Sequence, residues 1–138
     1  MNHLPHGRRE VHGDRGAVTT QLVVVVPTLL VLAVLVVQFA LAWHAHHIAQ
    51  YAAERALAAA RVQHGSTAAG QTQAVRSLSQ LGSHVLASPS VTVRRTSTQA
   101  TVRVQGKVVP VLPGLRLTAS GAASGAVERI TLPAGEHP

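Results

Sequence analysis

The sequence predicts a membrane-anchored α+β protein: an N-terminal transmembrane helix continuing into an alanine-rich helix, a second helix, then a small antiparallel β-meander. Three observations carry this. One uncharged aliphatic stretch runs from Ala17 to Trp43, with Leu22 to Val37 almost wholly Leu, Val and Ala. Alanines at helical spacing follow it, with no Gly or Pro between His44 and Val62. After Pro89 the apolar residues change to a period of two, in short runs split by Gly and Pro. The expected divisions are a cytoplasmic leader (1–16), a spanning helix (17–43), a helical region (44–87) and a small β region with a loose tail (88–138).

The leader is polar and without periodicity, so it reads as unstructured. Its Arg8, Arg9 and Arg15 outnumber Glu10 and Asp14. The positive-inside rule keeps such a segment cytoplasmic and sends the following domain outside. The apolar run comes next. A bilayer's hydrocarbon core is ~30 Å thick and needs ~20 apolar helical residues to cross it. The run is long enough. Pro27 lies in its first third, where a missing N–H predicts a local kink. Trp43 closes the run, and an indole favours the headgroup region. His44, His46 and His47 mark the exit into water.

The helix is expected to continue. Ala42, Ala45, Ala49, Ala52, Ala53, Ala56 and Ala60 recur at helical spacing, and alanine is the best helix former. Ala45, Ala49, Ala52 and Ala56 make a stripe of small side chains along which a second helix can approach closely. A contact between subunits is the expectation taken here. The alternative is that alanine only stabilises an exposed helix. His64-Gly65-Ser66 ends this helix and opens the next, with glycine suited to a C-terminal cap and serine to an N-cap. The second helix is predicted over 68–87, with Val75, Leu78, Leu81 and Val85 on one face. Alternation at Val91/Val93, Val102/Val104, Leu115/Leu117 and Ile130/Leu132 predicts the strands of a meander. Residues 133–138 are expected to be loose.

Composition narrows function. The chain has 138 residues and no cysteine, so neither a disulfide nor a thiolate site is possible. The ~95 residues after the apolar run make a small core, which must be aliphatic because Phe, Trp and Tyr occur once each. The net charge is +7. Its arginines are scattered through Arg55, Arg61, Arg76, Arg94, Arg95, Arg103, Arg116 and Arg129. Nucleic-acid grooves combine clustered cations with aromatic stacking platforms. That combination is absent, which argues against a nucleic-acid partner. The five acids show no acid/base pairing, and no phosphate loop, nucleophile elbow or zinc motif occurs. His44 and His47 stand one helical turn apart, yet no carboxylate or thiolate in the chain's own neighbourhood completes a metal set. No catalytic residue, metal, cofactor or small-molecule ligand is expected.

The junction Arg15-Gly16-Ala17-Val18-Thr19-Thr20-Gln21-Leu22, followed by the valine run and Pro27, resembles the start of TadE-like proteins. These are pilin-like components of tight-adherence (Flp-type) pilus machinery. The family shows Arg-Gly, a few small residues, Val-Glu, and an apolar helix with an early proline. Arg15, Gly16 and Pro27 match that pattern, and Leu22 opens the helix. The resemblance is specific over about residues 15–61 and architectural beyond. It implies processing by a prepilin peptidase after Gly16, which makes Ala17 the mature N-terminus. It also implies a glutamate five residues after the glycine, which pairs with a neighbouring subunit's N-terminal amine during assembly. Here that position is Gln21, which keeps the shape and hydrogen-bonding groups but not the charge.

The reading is a TadE-like minor pilin or pseudopilin at the bacterial plasma membrane. Its partners are other pilin-like subunits and pilus assembly proteins. Two rivals remain. One is a secreted protein cut by signal peptidase near Ala42, where Ala40-Leu41-Ala42 is a small-x-small site. The apolar run exceeds the ~7–15-residue core of such signals. The other is a membrane-anchored surface protein that binds anionic polymers through its arginines.

Overall fold

The computed structural model describes residues 14–129. The leader 1–13, the predicted Ile130/Leu132 strand and the tail 133–138 lie outside the described residues. The order of elements is α1 (Asp14–Arg61), α2 (Thr67–Leu81), β1 (Leu86–Arg95), β2 (Gln99–Val108) and β3 (Thr118–Ala126). The predicted α+β architecture is the one observed.

α1 is a single helix of 48 residues. At 1.5 Å per residue it is about 72 Å long. No glycine interrupts it after Gly16, and it passes through Pro27 unbroken. Beside that proline, the Thr28 hydroxyl donates to the Val24 carbonyl at 2.7 Å, a back-bond that bends helices. Residues 22–33 are exposed apolar side chains throughout, apart from Pro27 and Thr28. From Gln38 onward one face is buried.

The three strands form an antiparallel sheet in the order β1-β2-β3. β2 alternates strictly, with Ala100, Val102, Val104, Gly106 and Val108 buried and the residues between them exposed. One face of the sheet therefore carries the core, and α1 and α2 lie on it. The core joins Ala45, Ile48, Ala49, Ala52, Ala53, Ala56 and Ala60 of α1 to Ala74 and Leu78 of α2 and to Leu86, Val93, Ala100, Val102, Val104, Val108 and Ala119 of the sheet. Alanine fills little volume, so the backbones must come close for the layers to touch.

Three boundaries differ from the sequence reading. α2 ends at Leu81, not Ala87, because Gly82 caps it and its N–H returns to the Leu78 carbonyl. Its buried face is Gly70, Ala74, Ser77 and Leu78, while Val75 and Leu81 are exposed. Leu78 is buried as expected, but the rest of the inner face is made of small residues, which the spacing of large aliphatics did not reveal. β1 starts before Pro89 and passes it with a bulge between Ala87 and Ser90. Pro89 cannot donate to the ladder, and an edge strand with a bulge tolerates that. Residues 115–117 are loop, and the third strand is the Gly/Ala/Ser segment that follows them.

Candidate functional site

The alanine stripe is filled from within the chain. Ala45, Ala49, Ala52 and Ala56 are each 0 % exposed. Their neighbours are β3, β2 and α2. Gly121 of β3 lies so close to α1 that a Cβ there would overlap the backbone of Ala49 and Gln50. Gly70 of α2 sits against the Ala56 carbonyl and the Ala60 side chain, at 3.0 Å from where its Cβ would be. Small residues on both sides thus permit the close approach that the stripe predicted. The partner surface is the chain's own sheet and second helix. The alternative of an exposed alanine helix is corrected by the same burial, and a subunit contact at these four alanines has no free surface to use.

Polar side chains lock the same seat. The Gln50 amide donates to the Ala122 carbonyl at 3.2 Å and accepts from the Ala122 N–H at 3.1 Å. It also donates to Glu54 Oε1 at 2.9 Å. β3 is an edge strand, and a free edge invites pairing with another chain. Gln50 occupies that edge at its middle. At the far end, Arg95 Nε donates to the Ala60 carbonyl at 2.7 Å. A cation on the last carbonyls of a helix satisfies groups that have no partner inside it and complements the dipole. Glu128 adds its N–H to the Arg61 carbonyl at 2.8 Å and a 3.5 Å ion pair to the Arg61 guanidinium. Arg129 is spent on the Ser97 carbonyl at 2.6 Å. Part of the scattered positive charge is therefore structural. Arg94, Arg103 and Lys107 remain exposed on the open face of the sheet.

Gln38 was not singled out by the sequence reading. It is 0 % exposed although it stands within the apolar run. Its Oε1 accepts from the Val111 N–H at 2.6 Å and the Leu112 N–H at 3.4 Å, and its Nε2 reaches the Val109 carbonyl at 3.5 Å. The folded domain thus reaches back five residues past Trp43. An amide following the aliphatic stretch from Leu22 to Val37 was the signal that could have found it.

The positions expected to serve processing and assembly all lie toward the N-terminal end of α1. Gly16 and Ala17 are in its first turn, and Gln21 follows, exposed. Pro27 is exposed on the apolar segment. The buried face of α1 begins at Gln38, beyond Gln21 and Pro27. His44, His46 and His47 are exposed on α1, and Trp43 packs edge-on to His47 with ring centroids 5.1 Å apart. Among the described residues, no three His, Asp or Glu side chains are placed to share an ion. The hollows on the surface are shallow. One holds about 370 Å³ between His46, Gln50, Arg103 and Gln105, and it contains no acid/base pair.

α1 is the one described helix long and apolar enough to cross a membrane. Residues 16–61 match the TadE-like protein family. The matched segment is α1 from its first turn to its last residue. No curated protein matches the chain, and no solved structure matches it. The likeness covers about a third of the chain and is confined to α1.

Proposed function

We propose that this chain is a minor pilin-like subunit, or pseudopilin, of a Flp/Tad-type pilus. Residues 17–43 hold it in the bacterial plasma membrane, the leader faces the cytoplasm, and the domain stands outside. It acts through subunit contacts and not by catalysis. The observation that carries the reading is the coincidence of the family match with α1. One continuous helix has a free apolar half for a membrane or a filament core and a second half committed to its own domain.

The assembly surface in this reading is the free half of α1, not the alanine stripe. Leu22, Val23, Val24, Leu29, Leu30, Val31, Leu32 and Val36 are all more than half exposed among the described residues. In a membrane lipid covers them, and in an assembly neighbouring helices do. Gln21 sits at the start of this surface. An Asp at the centre of a spanning helix costs ~2.5–3.5 kcal/mol on the insertion scale, and less near the boundary. A carboxylate at position 21 would be offset by a neighbour's N-terminal ammonium. Glutamine avoids the cost and forgoes the pairing, which favours low stoichiometry.

The secreted alternative is disfavoured by the same contacts. A cut after Ala42 would remove Gln38 and leave the backbone of residues 109–112 without its partner. The test is quantitative mass spectrometry of sheared filaments and membranes from cells with the natural chain and with Gln21→Glu. The natural chain is expected at low stoichiometry beside the main filament subunit, and Gln21→Glu is expected to raise its share in filaments. An abundant natural chain along the filament would refute the minor-subunit assignment.

A further inference from the structure

We propose that the loop joining β2 to β3, residues 109–117, rests in the headgroup layer of the membrane that α1 crosses. The domain would then touch lipid twice, once through its anchor and once through this loop. The proposal rests on α1 spanning the bilayer.

Position comes first. As helix, the run from Ala17 to Val37 rises about 31 Å, close to the ~30 Å hydrocarbon thickness. Gln38 follows at once, and it is Gln38 that binds the loop. The loop is thereby tied to α1 at the level where the helix leaves hydrocarbon. The opposite end of the sheet is held near Ala60 by Arg95. That end lies about 33 Å further along the helix axis.

The chemistry of the two ends differs accordingly. The distal turn reads Thr96-Ser97-Thr98-Gln99. The proximal loop reads Val109-Pro110-Val111-Leu112-Pro113-Gly114-Leu115-Arg116-Leu117. Val109 is 38 % and Val111 46 % exposed, and Phe39 on the adjoining helix is 61 % exposed. These side chains extend the apolar surface of α1 sideways, without a break in character. Lys107 and Arg116 border an open hollow of about 440 Å³ with Pro110, Leu115 and Leu117. Long cationic side chains bury their stems and carry their charge to the headgroups. Apolar area combined with cations is what an interfacial segment uses to hold an anionic membrane.

The backbone agrees. Irregular chain near hydrocarbon must have its polar groups satisfied by protein, since lipid offers no partners. Gln38 serves Val109, Val111 and Leu112. The Val109 N–H goes to the Val85 carbonyl at 3.0 Å, and the Leu115 N–H closes a turn on Leu112 at 3.3 Å. Pro110 and Pro113 have no N–H to satisfy. Gly114, at φ +90°, occupies the turn position after Pro113 that favours glycine.

The test uses tryptophan emission from the full chain, reconstituted in phosphatidylethanolamine/phosphatidylglycerol vesicles. Trp43 is the sole tryptophan, so Trp43→Phe gives a silent background. Single probes are then added as Val111→Trp, with Val109→Trp as a second loop probe, Val31→Trp on the spanning segment and Ser97→Trp at the distal turn. Both loop probes should emit at shorter wavelength in the vesicles than the distal-turn probe, and lipids brominated near the headgroup should quench them. Lipids brominated deep in the chains should quench Val31→Trp more strongly, and Ser97→Trp should lose no emission in either. Loop probes as unquenched as Ser97→Trp, beside a quenched Val31→Trp, overturn the loop contact and leave the spanning helix standing. No quenching at Val31→Trp overturns the spanning reading and this proposal with it.

Discussion

Gly121 lies against Ala49 so closely that its missing side chain is a requirement: a Cβ would occupy the space of the Ala49 and Gln50 backbone. Both partners are small for one reason. A sheet that contributes Ala119, Gly121 and Ala123 to its inner face can only be covered by a helix that offers alanine in return.

Gly121→Val should therefore destabilise the domain, by at least the ~1–3 kcal/mol typical of overpacking, because backbone and not a movable side chain is in the way. Ala52→Leu, at a residue 0 % exposed, should cost a similar ~1–3 kcal/mol. Both effects are expected in the isolated protein in detergent, read by chemical denaturation. If Ala52→Leu left stability unchanged and altered only contacts with other subunits, the stripe would be an assembly surface after all.

This seat explains what the sequence could and could not reveal. α1 was legible because an apolar run and an alanine period both specify helix. The middle strand was legible because Val102 and Val104 alternate with Arg103 and Gln105. β3 was not, since Ala, Gly and Ser alternate with too little contrast in hydropathy for a period of two to show. The large residues at 115–117 drew the expectation toward a segment that is loop. On α2 the spacing found Leu78 but missed Gly70, Ala74 and Ser77, whose small size gives little hydropathy contrast. The expected processing position rests only on the Arg15-Gly16 resemblance.

Gln38→Leu should free the loop while keeping the helix. The Val111 and Leu112 N–H groups lose their acceptor, and an unsatisfied buried polar group costs ~1–3 kcal/mol. Amide hydrogen exchange should accelerate at those two positions, while Ala52 and Val102, deep in the core, remain protected. Unchanged exchange at Val111 would mean that Gln38 does not hold the loop.

Two substitutions at the other end of the domain should separate a cap from an ion pair. The Ser66 hydroxyl accepts from the Ala69 N–H at 3.0 Å at the start of α2, and losing such a cap costs ~0.5–2 kcal/mol, so Ser66→Ala should lower stability. Glu128→Gln removes an ion pair whose side chains are 44 % and 55 % exposed. Exposed pairs of this kind contribute ~0–1 kcal/mol, and the Glu128 N–H bond to Arg61 remains. Denaturation midpoints should fall clearly for the first and barely for the second. The reverse order would contradict the geometry.

The central claim is that α1 is a processed, pilin-like helix: exposed and apolar from Leu22 to Ala33, and bound to its own domain from Gln38 onward. The most direct measurement is the N-terminal residue of the mature protein isolated from its native membrane. The account predicts Ala17, from a cut after Gly16. Trp43 would mark a signal-peptidase cut and a secreted domain, and Met1 would mark an unprocessed anchor; either result would contradict it.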